Sequence, residues 1–180
     1  TFKSLKYLFE SNEFRIIKIE ENNINGGSFR IFCDKSPGKS IKFKEKTELR
    51  HIKTFIKNVE DNKNKFLNFY KKESKKGKKF MIYGASTKGN TVLQYYKIDS
   101  KMIKYAADRT PAKWGKYTIG TGVKIISEKL SRKFNPDYQV VMPYGFIKEF
   151  VAREKKWLKS GGKFILPYPK FKVISHKQII

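Results

Sequence analysis

The chain has 180 residues, with 41 lysines and arginines against 16 acidic residues and a formal net charge of +25. Such a charge suits nucleic acid, yet only six of the basic residues are arginine, and dispersed lysine is typical of a solvated surface, so nucleic-acid binding is the less favoured interpretation. The one cysteine, Cys33, excludes an internal disulfide and a multi-cysteine zinc site. Because no apolar run approaches the roughly 20 residues of a membrane helix, we expect a cytoplasmic protein with no membrane partner.

The first 40 residues predict a short helix followed by two strands. Residues 2–9 place their apolar side chains on one helical face, and residues 14–19 and 29–33 are β-rich runs separated by an Asn- and Gly-rich turn. This is too little material for a separate core, so we expect it to be the end of a larger domain. The stretch SPGKS, residues 36–40, has the composition of a linker.

The remainder of the chain alternates helical and strand patterns. A long helical pattern runs over residues 44–72, and Asp61 and Asn62 mark a point at which it could break. Further predicted elements are a strand at 80–83, a helix after the glycine turn, strands near 103–107, 123–126, 138–142 and 163–166, and a helix over 146–159. This alternation predicts an α/β fold with a Rossmann-like, mainly parallel sheet and helices on both faces. Such sheets bind ligands at the carboxyl ends of their strands.

The sequence GASTKGN, residues 84–90, follows the first of these strands and precedes a helix. Its glycines, the hydroxyls of Ser86 and Thr87 and the ammonium group of Lys88 suit an anion at a helix N-terminus. The loop fits neither the nucleoside-triphosphate pattern, which has lysine where Asn90 stands, nor the strict G-x-G-x-x-G pattern. A tight turn with a polar helix cap is the structural alternative.

Other candidate residues follow the neighbouring strands. Asp108 ends the next predicted strand, where an acidic residue in this fold commonly binds a ribose hydroxyl, although a turn aspartate is an equal alternative. Lys113, Lys116 and Thr121 lie in a Gly-, Thr- and Lys-rich loop that could contact phosphate or be a plain polar connection. Tyr144 could stack on a base or sugar, or could be structural. Loop and aspartate together favour a nucleotide ligand.

Four segments resemble the C-terminal part of S-adenosylmethionine (SAM)-dependent C-methyltransferases that act on nucleotide-linked deoxysugars, of the D-mycarose 3-C-methyltransferase type. In chain order they are NGGSFR, YGASTKGNTVLQYY, AADRTPAKWGKYTIGT and PDYQVVMPYGFIKEFVAREKKWLKSGGKFILPYP, so the resemblance covers essentially the whole chain. It departs from the family pattern at Ile119, where proline is usual, and at Tyr144 and Gly145, where the family has Trp followed by His or Asn.

The resemblance implies that residues 1–36 close a SAM-binding methyltransferase domain and that residues 37–180 form a Rossmann-like domain for a dTDP-linked sugar. The family reaction removes a proton beside a sugar ketone, and the resulting enolate attacks the SAM methyl group. The zinc-binding module, the SAM site and the catalytic base would all lie before Thr1, so we expect this chain alone to be an inactive fragment that binds substrate. A nucleotide- or NAD-binding module of another enzyme is the alternative.

The resemblance also assigns candidate substrate-binding residues. The diphosphate region would comprise Gly84, Ala85, Ser86, Thr87, Lys88 and Gly89, with Asp108, Lys113, Gly120, Thr121 and Tyr144 around it.

Overall fold

The structure, a computed structural model, describes residues 1–24, 27–44 and 49–178. The chain divides into two compact units, Thr1–Phe55 and Ile56–Ile180. The assignment of residues 1–36 to a methyltransferase domain stays a prediction.

The first unit contains the predicted helix and hairpin. Helix α1, Phe2–Glu10, begins where the Thr1 hydroxyl accepts a hydrogen bond from the Ser4 N–H at 3.2 Å, a typical N-cap. Strands β1, Arg15–Asn22, and β2, Ser28–Asp34, pair antiparallel, with a bulge between Ile16 and Lys18. Part of the predicted turn between the strands, residues 25 and 26, lies outside the described residues.

The predicted linker at residues 36–40 folds back along β1. The Arg15 guanidinium pairs with Asp34 at 3.1 Å and donates to the Pro37 carbonyl at 3.0 Å. The buried Ser40 hydroxyl accepts from the N–H of Ile16 at 3.1 Å. This segment is therefore tied to the hairpin by hydrogen bonds, a role that its Pro, Gly and Ser composition does not reveal.

Helix α2, Leu49–Ser74, is continuous. The expected weak point at Asp61 and Asn62 does not interrupt it, because Asn62 is buried and its side chain bonds to the chain after the last parallel strand. The Asn62 amide donates to the Pro169 carbonyl at 2.7 Å and accepts from the Phe171 N–H at 2.8 Å. The predicted start of the helix borders residues 45–48, which lie outside the described residues.

The second unit is built on a six-stranded sheet whose order is β5-β4-β3-β6-β7-β8. All neighbouring pairs are parallel except the last, in which β8 runs antiparallel to β7. Its elements are β3 Phe80–Tyr83, α3 Thr87–Tyr96, β4 Tyr105–Asp108, β5 Lys124–Ser127, α4 Glu128–Phe134, β6 Tyr138–Val141, α5 Ile147–Arg153, α6 Lys155–Lys159, β7 Lys163–Leu166 and β8 Lys172–Ile174.

Helices cover both faces of this sheet, as the alternating pattern predicts. On one face the strand residues Ile82 and Val140 pack with Phe66 of α2 and Leu93 of α3. The opposite face buries a second cluster with the aromatic rings of α5 and α6. Its strand members are Met81, Tyr83, Ala107, Ile126, Val141, Phe164 and Ile174, and its helix members are Phe150, Trp157 and Leu158. The predicted α/β fold is confirmed.

Three features of this unit differ from the sequence-based prediction. Helix α4 is short and mostly polar, so its pattern was too weak to predict, and the three-residue strand β8 is equally inconspicuous. The helix predicted over residues 146–159 is divided into α5 and α6 at Glu154. Glu154 is 3% exposed and binds both the Tyr83 hydroxyl and the Arg132 guanidinium, which holds the backbone at this break.

Candidate functional site

The strand order of the sheet reverses between β3 and β6, so the carboxyl ends of these two strands form its topological switch point. From β3, the strands β4 and β5 lie on one side, and β6 and β7 lie on the other. In open α/β sheets a crevice forms at such a point because the two following loops leave toward opposite sides, and ligands bind there. The predicted glycine loop is placed at this crevice.

Gly84 makes the sharp turn out of β3. Its φ is +87°, a region that favours glycine, and its N–H donates to the Ala107 carbonyl at 2.7 Å. A Cβ atom at this position would lie 2.5 Å from Cδ of Pro143, the second residue after β6. Both the backbone conformation and the close approach of the neighbouring loop therefore require glycine here.

The next residues form a capped helix start. The Ser86 hydroxyl accepts from the Gly89 N–H at 3.0 Å, which makes Ser86 the N-cap of α3. Gly89 is buried, and a Cβ atom there would lie 2.7 Å from the Met142 Cβ. Thr87 and Lys88 are exposed. The structure thus shows the cap that the turn alternative expects, at a helix end whose partial positive charge suits an anion.

Asp108 and Lys113 hold both polar groups of the Ala85 backbone, an arrangement that we call the Ala85 clasp. The Asp108 carboxylate accepts from the Ala85 N–H at 2.9 Å, and the Lys113 ammonium donates to the Ala85 carbonyl at 2.9 Å. Lys113 and Asp108 also pair with each other at 3.1 Å. The clasp fixes the glycine loop against the segment that follows β4.

The electrostatics of the clasp favour the ionised carboxylate. Burial of Asp108, which is 9% exposed, opposes ionisation, but hydrogen bonds from Thr110 and from the Lys113 ammonium outweigh it and lower the pKa of the Asp108 carboxyl. The Thr110 N–H donates to the other carboxylate oxygen at 2.8 Å. Both oxygens are thus engaged within the protein, and the predicted ribose contact of Asp108 stays a prediction.

Gly120 and Thr121 lie further along the loop after β4. Gly120 has a φ of +74°, and the Gln94 side chain donates to the carbonyl of Ile119 at 3.0 Å. The buried Thr121 hydroxyl shares a 2.7 Å hydrogen bond with Thr118. These contacts shape the loop, and the assignment of both predicted residues to the substrate stays a prediction.

Tyr144 lies on the β6 side of the crevice, in the short 3-10 turn Tyr144–Phe146. It is half-buried, and its ring meets Tyr168 edge-on with the centroids 5.2 Å apart. Tyr168 follows β7 and donates its hydroxyl to the Met142 carbonyl. Two tyrosines therefore lie on the β6 side of the switch point, whereas the Ala85 clasp lies on its β4 side.

A network of hydrogen bonds and ion pairs lies on the face of β3 that packs against α5 and α6. The buried Tyr83 hydroxyl donates to Glu154 at 2.9 Å, and burial together with this carboxylate raises the pKa of Tyr83. Glu149 of α5 pairs with Arg109 at 3.2 Å and with Arg153. Its place in this ion-pair network gives Glu149 a structural role.

Sequence reasoning overlooked several residues of this region. Trp114 donates its indole N–H to the Asp108 carbonyl at 2.8 Å, and Pro143 and Tyr168 shape the β6 side. The side-chain oxygen of Asn90 is buried and has no hydrogen-bond partner among the described residues. Only Trp114 carries a signal in the sequence, because tryptophan is an uncommon and amphipathic residue in a Gly- and Lys-rich loop.

Over residues 1–24, 27–44 and 49–178, no group of three or more His, Cys, Asp and Glu side chains is placed to hold a metal ion. Within the same ranges, each helix is too short or too polar to cross a membrane.

The fold and the crevice define an α/β domain of Rossmann-like strand order with a capped glycine loop at its switch point. The profile of the C-methyltransferase C-terminal domain family matches residues 23–169, and the chain belongs to this family. C-methyltransferase NovU of Streptomyces niveus is 28% identical over 184 aligned residues, which cover 96% of this chain and 44% of that protein. The resemblance stated from sequence is confirmed, and the chain spans less than half the length of this relative.

Proposed function

We propose that this chain is the substrate-binding part of a SAM-dependent C-methyltransferase that acts on a dTDP-linked keto-deoxysugar. The observation that carries the proposal is the capped start of α3 at the switch point, where Gly84 and Gly89 allow close packing and the Ala85 clasp fixes the loop. A diphosphate bound here would meet backbone N–H groups and the positive end of the helix dipole. The attached sugar would then lie in the crevice.

The described residues do not fit the other groups that the family implies. SAM carries a sulfonium cation and no phosphate, whereas this loop combines a helix N-terminus with lysines at positions 88 and 113 and so suits an anion. The part of the chain that the structure describes also has no cluster for zinc. We therefore propose that SAM, zinc and the catalytic base belong to a methyltransferase portion that acts with this chain.

Calorimetric titration with dTDP, SAM and NAD at two salt concentrations tests this proposal. We expect saturable binding of dTDP and none of SAM. The double variant Ser86→Ala with Lys88→Ala should abolish dTDP binding, because it removes the N-cap and a cation at the loop.

A matched double variant controls for general effects. Ser127 caps α4 by accepting from the Leu130 N–H at 3.1 Å, and Lys129 follows at the same spacing as Lys88 follows Ser86. Ser127→Ala with Lys129→Ala removes the same groups at the end of β5, two strands from β3, and should leave dTDP binding unchanged. Binding of NAD alone would favour a module of another enzyme. Steeply salt-dependent binding of nucleic acid that survives the loop variant would favour the basic alternative.

A further inference from the structure

Trp114 is attached to the same residues that hold the glycine loop. It ends the 3-10 turn Pro111–Lys113, and its indole N–H donates to the Asp108 carbonyl at 2.8 Å. The preceding residue, Lys113, reaches the Ala85 carbonyl at 2.9 Å. The turn thus places the Lys113 side chain on the glycine loop and the Trp114 side chain at the end of β4, so the indole lies beside the proposed diphosphate site.

The indole is held by its edge and is 44% exposed. The other tryptophan, Trp157, is 9% exposed, packs on Phe164 and donates its N–H to the Pro136 carbonyl at 2.8 Å. Exposing a large aromatic ring leaves apolar surface in water, and an edge-bonded ring keeps a flat face for stacking. Because the hydrogen bond fixes the ring before any ligand arrives, little conformational freedom would be lost on stacking.

The two sides of the crevice differ in what they offer a nucleotide sugar. Trp114 stands on the β4 side of the loop, and Tyr144 stands on the β6 side with its ring against Tyr168 at 5.2 Å. A nucleoside diphosphate sugar has its base and its sugar at opposite ends of the diphosphate. A diphosphate held by the loop would therefore send the two ends toward different sides.

We propose that Trp114 is the platform on which the nucleobase of the substrate stacks, and that the sugar extends toward Tyr144. This inference rests on the proposed function, since it assumes that the diphosphate binds at the loop. Stacking on an aromatic ring tolerates different bases, so Trp114 would supply affinity for the nucleoside more than discrimination between bases.

Titration with dTDP and with inorganic pyrophosphate separates the base from the diphosphate. In Trp114→Ala the affinity for dTDP should fall about tenfold, the size expected for one lost base stack, while the affinity for pyrophosphate should stay the same. Trp114→Phe keeps an aromatic face and should recover most of the loss.

Intrinsic fluorescence gives a second readout because the chain has two tryptophans. We expect dTDP to quench the emission of the wild-type chain, whereas pyrophosphate should not. In Trp114→Phe the only tryptophan is the buried Trp157, and the quenching by dTDP should disappear even though dTDP still binds.

Three results would overturn the inference. If Trp114→Ala binds dTDP as the wild type does, the base does not use this ring, and a selective loss in Tyr144→Ala would place the base on the other side. If Trp114→Ala weakens dTDP and pyrophosphate equally, Trp114 acts only by holding Asp108. If the wild-type chain binds neither ligand, the proposed function fails together with the inference, whereas in the first two cases it survives.

Discussion

The loops after β3 and β6 lie side by side at one edge of the sheet and are held in different ways. The β3 loop is fixed by bonds from other segments, since Ala107, Asp108 and Lys113 all bind its first two residues. The β6 loop relies more on its own backbone, with the Tyr144 N–H donating to Met142 and the Phe146 N–H donating to Pro143, each at 3.0 Å. Bonds from other segments reach only its first residue, Met142, which is joined to Tyr83 and to Tyr168. One loop is therefore preorganised by its neighbours, whereas the other is held mainly by a local turn.

This difference matches the two parts of the proposed ligand. A diphosphate is the same in every dTDP-linked sugar, and a rigid loop binds a constant group with little loss of conformational freedom. The sugar varies between substrates, and the turn Tyr144–Phe146, which follows the Pro143 contact with Gly84, can change without disturbing the anchor. Substitutions that act on the two loops should accordingly differ in their effect.

Gly84→Ala should have the largest effect. It places a Cβ atom 2.5 Å from Pro143 and imposes a side chain on a φ of +87°, which together should cost about 3 kcal/mol or more of unfolding free energy. Gly77→Ala is the matched control, because Gly77 has a φ of +75° and open space around the added atom. Denaturant unfolding of both variants separates the clash from the backbone strain, and equal losses would show that the contact with Pro143 is unimportant.

Asp108→Ala should remove the anchor of the β3 loop. We expect a loss of about 2 kcal/mol of stability, because the N–H donors of Ala85 and Thr110, whose hydrogen bonds are partly buried, lose their acceptor. Affinities for dTDP and pyrophosphate should fall by the same factor, since Asp108 acts through the loop. Asp108→Asn keeps an acceptor and should be milder. An unchanged pyrophosphate affinity in Asp108→Ala, beside weaker dTDP binding, would instead support direct contact of Asp108 with the ribose.

The Asp108 carboxylate should also make a contribution to stability that depends on pH. Because the pKa of Asp108 in the folded chain is lowered below the usual value of about 3.9, its ionised form stabilises the fold above that pH, and the contribution is lost as the pH falls through the folded-state pKa. The difference in unfolding free energy between the wild type and Asp108→Asn should therefore be full near neutral pH and shrink below about pH 4. A difference that stays constant down to pH 2 would contradict this assignment.

Tyr144→Phe should have the smallest effect on folding. The ring contact with Tyr168 is retained, so the thermal midpoint should change little, with a stability change within about 0.5 kcal/mol. A change above 1 kcal/mol in a thermal melt would show that the β6 loop is anchored as firmly as the β3 loop.

The sequence predicts the backbone of this site better than its contacts. The apolar run Phe80–Tyr83 followed by a glycine turn identifies the strand, the loop and the helix, because these depend on local preferences. The Ala85 clasp joins residues 23 and 28 positions apart in the chain, and hydrogen bonds over such separations have no local pattern. For the same reason the sequence does not predict the break at Glu154, since this break contains neither proline nor glycine and depends on the distant Tyr83.

The contact between Gly84 and Pro143 has an evolutionary consequence. The two positions are 59 residues apart, yet there is no room for a side chain at one while the proline ring occupies the other. A homologue that gains a larger residue at the first position would need a smaller one at the second, so the two sites should mutate together across the family. This one contact therefore couples substitutions in two loops that are otherwise far apart in the chain.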